Sequence, residues 1–366
     1  MNNTLSSFLE GRDNNFNIIR FFAATLVLVS HSFPLLFGHG NSEPLRYLVG
    51  ISLGTVAVDL FFITSGFLIA NSLFRRKGLG DFVKARVLRI YPGLAASLII
   101  SVFILGVYFT NLPTIAYLTD LQTYKFLFIN MVLFFGEEAT LPGVFELLPW
   151  ASTVNGSLWT LPFEVRAYAL LVIIGLTLTH FQKKWKVTFI KKVYLLIPLI
   201  GMGIYLFDYF HTILPISYFG SEYARLLSMF FIGVAFYIYR EKIVLSNKIF
   251  YTLIALLIIS SIDNQLFFVI YNCTLAYIVF YLAYVPKGVI RKFNTYGDYS
   301  YGIYIYAFPV QQDVLAVNPK LSLLTFTIIS LVITFILAYL SWHLIEKKAL
   351  KLKNAKFQFI KKNTLR

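Results

Sequence analysis

Apolar residues along this chain gather into long runs separated by short polar connections. By length and composition the runs predict about ten membrane-spanning helices, at approximately 16–37, 52–74, 88–110, 159–179, 191–210, 223–240, 248–263, 265–285, 298–316 and 321–345. The seventh and eighth are short, and Asp263–Asn264 offers only a tight turn between them. Without that pair eight spans would remain, with the sidedness of the others unchanged. A further run, FLFINMVLFF (126–135), is too short to cross and lies inside the longest connection, 111–158, among Pro113, Pro142, Pro149, Glu137, Glu138 and Glu146. It predicts a re-entrant or interfacial helix over one mouth of the bundle. The expected fold class is an all-α polytopic membrane protein.

Composition agrees. Hydrophobic residues make up 58% of the chain and charged residues 13%, against about a quarter charged in soluble domains. The first fifteen residues are polar and the first apolar run is span length, which predicts a retained anchor rather than a cleaved signal. The domain reading is a transmembrane unit over 1–346 followed by a basic tail over 347–366. Lone Cys273 excludes an intramolecular disulfide and a cysteine metal cluster, and its apolar run predicts a buried structural thiol.

The net charge of +15 would suggest nucleic acid if the cations were spread evenly. They are not. All lysines and arginines except Arg20, Arg46, Lys125, Arg166, Arg225 and Lys320 fall in alternate connections or at the two ends of the chain. Cationic connections stay in the cytoplasm, so both termini are expected there. The excess charge is topology and contact with anionic membrane lipids, not a nucleic-acid footprint.

Against this background the ionisable residues inside the spans stand out. Arg20 and His31 are eleven residues apart in the first helix, which returns to within roughly 20° of one face, about 16 Å higher along the axis. Such a stripe marks a functional site by default; the alternative is an arginine that snorkels to the headgroups and a histidine packed in the bundle. From the expected topology His31, Asp59 and Glu164 lie roughly 9, 10 and 8 Å below the outer surface. A carboxylate beside the imidazole would fix its tautomer and raise its basicity, as a general base requires. Alternatively, Asp59 or Glu164 pairs with Arg166 or Arg225 as structural glue. At the inner side Arg20, Arg86 and Arg89 gather, and Arg86 and Arg89 project from adjacent positions on one helix. Such a cluster suits phosphate or pyrophosphate, and positive-inside topology accounts for it equally. In FFITSGFL (61–68), Ser65–Gly66 allows close helix approach or room for a ligand. Tyr296, Tyr299, Tyr301, Tyr304 and Tyr306 are candidates for stacking on sugar rings, or an ordinary aromatic belt. The chain contains no glycine-rich phosphate loop, HExxH or GxSxG pattern, and no metal site is expected.

Taken in order, RFFAATLVLVSH, FFITSGFL, KARVLRIYP and NGSLWTLPFEVRAY, then YGDYSYGIYIYAFPV and WHLIEKKALK, resemble the acyltransferase-3 family of membrane O-acyltransferases across essentially the whole chain. The resemblance implies that His31 is the catalytic histidine and Arg20 its paired arginine. It implies that Arg86 and Arg89 form the RxxR pair associated with acyl-donor binding, that Ser65 lines the donor path and that Glu164 is the acidic residue of the SLWxLxxE region. It further implies acetyl-CoA as acyl donor, a hydroxyl of a cell-surface or lipid-linked saccharide as acceptor, and a multi-pass location in the bacterial cytoplasmic membrane. Two features depart from many relatives. Ala307 stands where they carry a histidine, and no SGNH-type hydrolase domain follows the bundle, so the acyl group is expected to reach its acceptor without that module, by direct transfer or through an acyl-histidine intermediate. The rival expectation is a transporter or flippase in which His31, Asp59 and Glu164 relay protons; against it, no inverted repeat or matched pair of broken helices is visible.

Overall fold

The computed structural model describes residues 4–9, 13–75, 78–181, 187–211 and 218–354. All ten expected spans are helices: α1 (Phe16–Phe37), α2 (Leu53–Arg75), α3 (Leu79–Ile100), α4 (Thr160–Phe181), α5 (Val187–His211), α6 (Tyr218–Ile238), α7 (Asn247–Ser260), α8 (Asn264–Tyr284), α9 (Ser300–Val317) and α10 (Leu323–Ser341). Eight are long and apolar enough to cross a membrane; α7 is shorter, and α9 is diluted by tyrosines and by Gln311, Gln312 and Asp313. The tight turn between α7 and α8 is present, with the Asp263 side chain accepting from the Leu266 N–H at 2.8 Å as an N-cap. The described residues form no strand, only isolated bridges. The basic tail beyond 354 and residues 182–186 of the lysine-rich connection lie outside the described residues.

Outward faces carry Leu199, Ile200, Ile258, Ile259 and Val332, all exposed. In water this would be an untenable apolar surface; against lipid it is the required one. Cys273 sits on such an outward face of α8 and is exposed, so the expectation of a buried thiol is corrected. The N-terminal turn Leu5–Leu9 docks on the connection after α6, through Leu5 N–H to the Ile243 carbonyl (2.7 Å) and Ser6 N–H to the Arg240 carbonyl (3.0 Å). We call this the basic end of the bundle. The 126–135 run forms a helix at the opposite end, Leu121–Val132, stopped by Leu133 in the left-handed region.

Two helix contacts position the site. First, α1 lies between α2 and α9. Every residue of α9 from Ser300 to Gln312 is buried, which is why a helix so rich in polar groups is tolerated there. Pro309 removes the N–H that would bond the Ile305 carbonyl. That carbonyl instead accepts from Ser97 Oγ (3.2 Å) and from Asn155 Nδ2 (2.9 Å) of the NGSLW segment. Second, α2 packs closely against α6. A Cβ on Gly66 would run into the Phe230 backbone, and one on Gly233 into the Ile63 carbonyl. Gly66 of the FFITSGFL segment is thus a packing glycine. Gly66→Ala is expected to cost about 1–3 kcal/mol by overpacking, read as a lower melting temperature of the detergent-solubilised protein.

Candidate active site

At the end opposite the basic one, the connection 38–52, the connection 133–159 and the ends of α1, α5, α6 and α8 enclose a cavity of about 590 Å³. His31 lines it, half-buried, with its ring edge-on to Phe308 at 5.3 Å between centroids. Its Nδ1 is buried without a hydrogen-bond partner. Trp150, Trp159 and Tyr304 add aromatic surface, and Glu43, Arg46, Glu137, Glu222 and Arg225 add charge.

A second, much smaller void of about 40 Å³ lies toward the basic end and is lined by Arg20, Phe61, Thr160, Glu164 and Tyr301. Val58 and Tyr304 line both spaces. The Tyr304 hydroxyl is hydrogen-bonded to Thr160 Oγ1 at 2.5 Å, so a pair of hydroxyls stands where the two spaces adjoin. Arg20 stacks over Phe61 at 5.7 Å. Its Nε is buried without a hydrogen bond, and it has no ion pair among the described residues. Arg20 and His31 of α1 thus each line one of two adjoining spaces.

The carboxylates are arranged differently from expectation. Asp59 is fully buried, and its oxygens are taken by the Arg225 guanidinium and by the Tyr271 hydroxyl (2.9 Å). Arg225 also holds Glu222, at 2.5 Å from Nη2. A buried arginine demands compensation from every side, and this network ties α2, α6 and α8 together. Asp59 is thus paired with Arg225, the arrangement expected of structural glue. Glu164 accepts from Ser65 Oγ (2.9 Å) and from the Tyr168 hydroxyl. It belongs to the Arg20 side, and among the described residues neither carboxylate bonds the His31 ring.

Arg89 is likewise committed. Its guanidinium meets Asp298 at 2.5 Å and Glu346 at 3.6 Å, and stacks near Tyr301 and Trp342. Burial would raise the Asp298 carboxyl, but Arg89 and Arg20 outweigh it and hold it below the usual carboxylate range. Arg89 thus fastens α3 to the residues just before α9 and to the turn Trp342–Glu346 that follows α10, while Arg86, one turn earlier, is half-buried. Of the five tyrosines only Tyr304 reaches the cavity. Tyr301 donates to the Ile90 carbonyl (2.8 Å) and Tyr296 is exposed. Ala307 is fully buried and does not line the cavity.

Glu43 is the residue the sequence does not announce. It precedes the short helix Pro44–Val49 in a connection where an acidic residue reads as solvated. Yet it is 1% exposed, with Oε1 accepting from the Leu53 N–H at 2.6 Å and Oε2 buried without a partner. Burial raises its carboxyl above the usual range, and the Leu53 N–H, Ser30 and Arg46 only partly oppose this.

Comparison with known proteins bears on this geometry. Residues 13–343 match the acyltransferase domain of the acyltransferase-3 family. The chain is 31% identical over 351 residues to an "O-acetyl transferase" of Shigella phage Sf6, covering 93% of this chain and 96% of the relative. It is 26% identical over 377 residues to "Nodulation protein 10" of Rhizobium leguminosarum bv. viciae, covering 94% and 95%. No solved structure matches. A histidine-lined cavity joined to an arginine-lined void, in a polytopic bundle matched over nearly its whole length, makes this chain a membrane O-acyltransferase belonging to the acyltransferase-3 family.

Proposed function

We propose that the protein transfers an acetyl group from cytoplasmic acetyl-CoA to a hydroxyl of a cell-surface or lipid-linked saccharide, in the bacterial inner membrane with both termini in the cytoplasm. One observation carries the reading: the His31 cavity and the Arg20 void share Val58 and Tyr304 in their linings, the void lying on the side of the basic end. Two substrates entering from opposite sides meet there without either crossing the bundle.

The donor's phosphates bind Arg20 and Arg86 at the basic end, where Arg89, neutralised by Asp298 and Glu346, fixes the surrounding helix ends. The pantetheine arm runs past Ser65 and Glu164 toward the junction. His31 Nε2 takes the proton of the acceptor hydroxyl, and the oxygen attacks the thioester carbonyl. The Tyr304–Thr160 pair donates to the oxyanion through the one hydroxyl proton that their mutual hydrogen bond leaves unspent. The C–S bond breaks as the C–O ester bond is kept, and the proton held by His31 passes to the departing thiolate. Val58 and Tyr304 narrow the passage and keep bulk water from the thioester.

Arg20→Gln tests the donor side. The apparent KM for acetyl-CoA is expected to rise about 10-fold, with kcat less affected, because a charge-assisted phosphate contact is lost before the chemical step. Release of free CoA thiol by the purified protein measures it. An unchanged KM would remove Arg20 from the donor site, and a protein that consumes no acetyl-CoA at all would favour a transporter.

A further inference from the structure

The cavity beside His31 runs on past the histidine. In the bundle α1 packs on α2, α2 on α6 and α6 on α5. All four helices line the cavity, α1 through His31, α2 through Gly54 and Thr55, α6 through Glu222 and Arg225, and α5 through Tyr205 and Tyr209. Neighbouring packed helices stand about 8–10 Å apart. A space reaching from α1 to α5, with two helices between them, is longer than one pyranose ring. Gly54 and Thr55 on the way are small and leave it open.

Aromatic surface gathers at both ends of this space. At the His31 end stand Phe308 and Trp150, the latter held by Gln312 of α9, whose Nε2 donates to the Trp150 carbonyl at 2.9 Å. At the α5 end Tyr209 lies flat on Phe268 of α8, with 3.7 Å between centroids and 11° between planes, and Tyr205 leans on the same ring at 5.1 Å. Tyr209 lines the cavity with 37% of its surface exposed, so the stack is not a closed core contact. On α6, Glu222 is fixed by two bonds from Arg225, both to Oε2, at 3.1 Å from Nε and 2.5 Å from Nη2. Its side chain stays 14% exposed, and a carboxylate offers about four acceptor sites. An aromatic plate and a fixed acceptor on neighbouring helices suit a sugar ring, whose C–H face packs on the one while a hydroxyl donates to the other. The chemistry at His31 needs a single hydroxyl. A second such place takes no part in that step and serves to bind the rest of the acceptor.

We infer that the acceptor is bound as at least two linked sugar units, the acylated unit beside His31 and Trp150 and an adjoining unit on Tyr209 and Glu222. The inference rests on the saccharide reading above and deepens it. The test uses the purified full-length protein in detergent with isotope-labelled acetyl-CoA and two probes. One is a lipid-free oligosaccharide released from the producing cell's surface glycan and stripped of esters with mild base; the other is the set of monosaccharides from its complete hydrolysis. Label is expected on the oligosaccharide, with kcat/KM about 10-fold or more above that of any monosaccharide. An equal kcat/KM for a monosaccharide overturns the inference while leaving saccharide acetylation intact. Label on the glycans of the cell's own membranes but on neither probe assigns the α5 end to a carrier lipid and also overturns it. Label on no saccharide at all overturns the saccharide reading and this inference with it. Tyr209→Ala is expected to raise the oligosaccharide KM about 10-fold, with kcat and the acetyl-CoA KM little changed, and Tyr209→Phe, which keeps the ring, should keep the KM. An unchanged KM in an alanine variant that melts normally would remove the second unit from this place, and the comparison of the two probes stands whether or not that variant folds.

Discussion

His31→Ala is expected to reduce acetyl transfer by about 10²- to 10⁴-fold, the range lost with a general base, while the protein inserts and melts almost as before. Both halves of this expectation follow from the ring's surroundings. Its Nδ1 has no hydrogen-bond partner and its edge faces a cavity, so truncation orphans no polar group and enlarges a space that already exists. What is lost is packing against Phe308. A histidine placed for stability would show the reverse pattern, with a lowered melting temperature and activity retained in the folded fraction. Thiol release and glycan acetylation, measured beside thermal unfolding in detergent, separate the two.

Asp59→Ala is expected to do the opposite. The change leaves Arg225 buried with half its compensation and the Tyr271 hydroxyl without its acceptor. Removing one partner of a buried ion pair costs about 3–5 kcal/mol, enough to deplete folded protein from the membrane. The milder Asp59→Asn separates the roles. If the aspartate only pairs with Arg225, the folded Asn variant keeps near-normal kcat with a lowered melting temperature. If it orients His31, kcat falls in protein that melts normally.

These two residues show what the sequence could and could not reveal. Apolar run lengths were enough for ten helices and even for the turn at Asp263, because span length and turn chemistry are local properties. The Arg20–His31 stripe was legible too, since helical periodicity alone puts both on one face. Depth along an axis was readable for Asp59 and Glu164, but rotation about the axis was not. The pairing with Arg225 joins residues 166 positions apart, and nothing in either helix's own pattern singles that arginine out over Arg166. Arg86 and Arg89 looked alike for the same reason, and nothing in the pattern of their helix announced that Asp298 and Glu346 meet Arg89. Glu43 was invisible for a different cause: a carboxylate in a polar connection is ordinary, and only the closing of 38–52 over α1 makes it buried. Tyr304 was one of five equivalent tyrosines until the packing of α9 selected it.

The proposed activity requires His31 to join a donor from one side of the membrane to an acceptor from the other. The most direct measurement is one-sided: proteoliposomes of uniform orientation, labelled acetyl-CoA added to a single face, and label sought in a saccharide acceptor confined to the other. Transfer is expected only when the donor is on the face bearing the termini, and it should vanish with His31→Ala. Transfer that persists in the alanine variant, or that proceeds equally with the donor on either face, would contradict it.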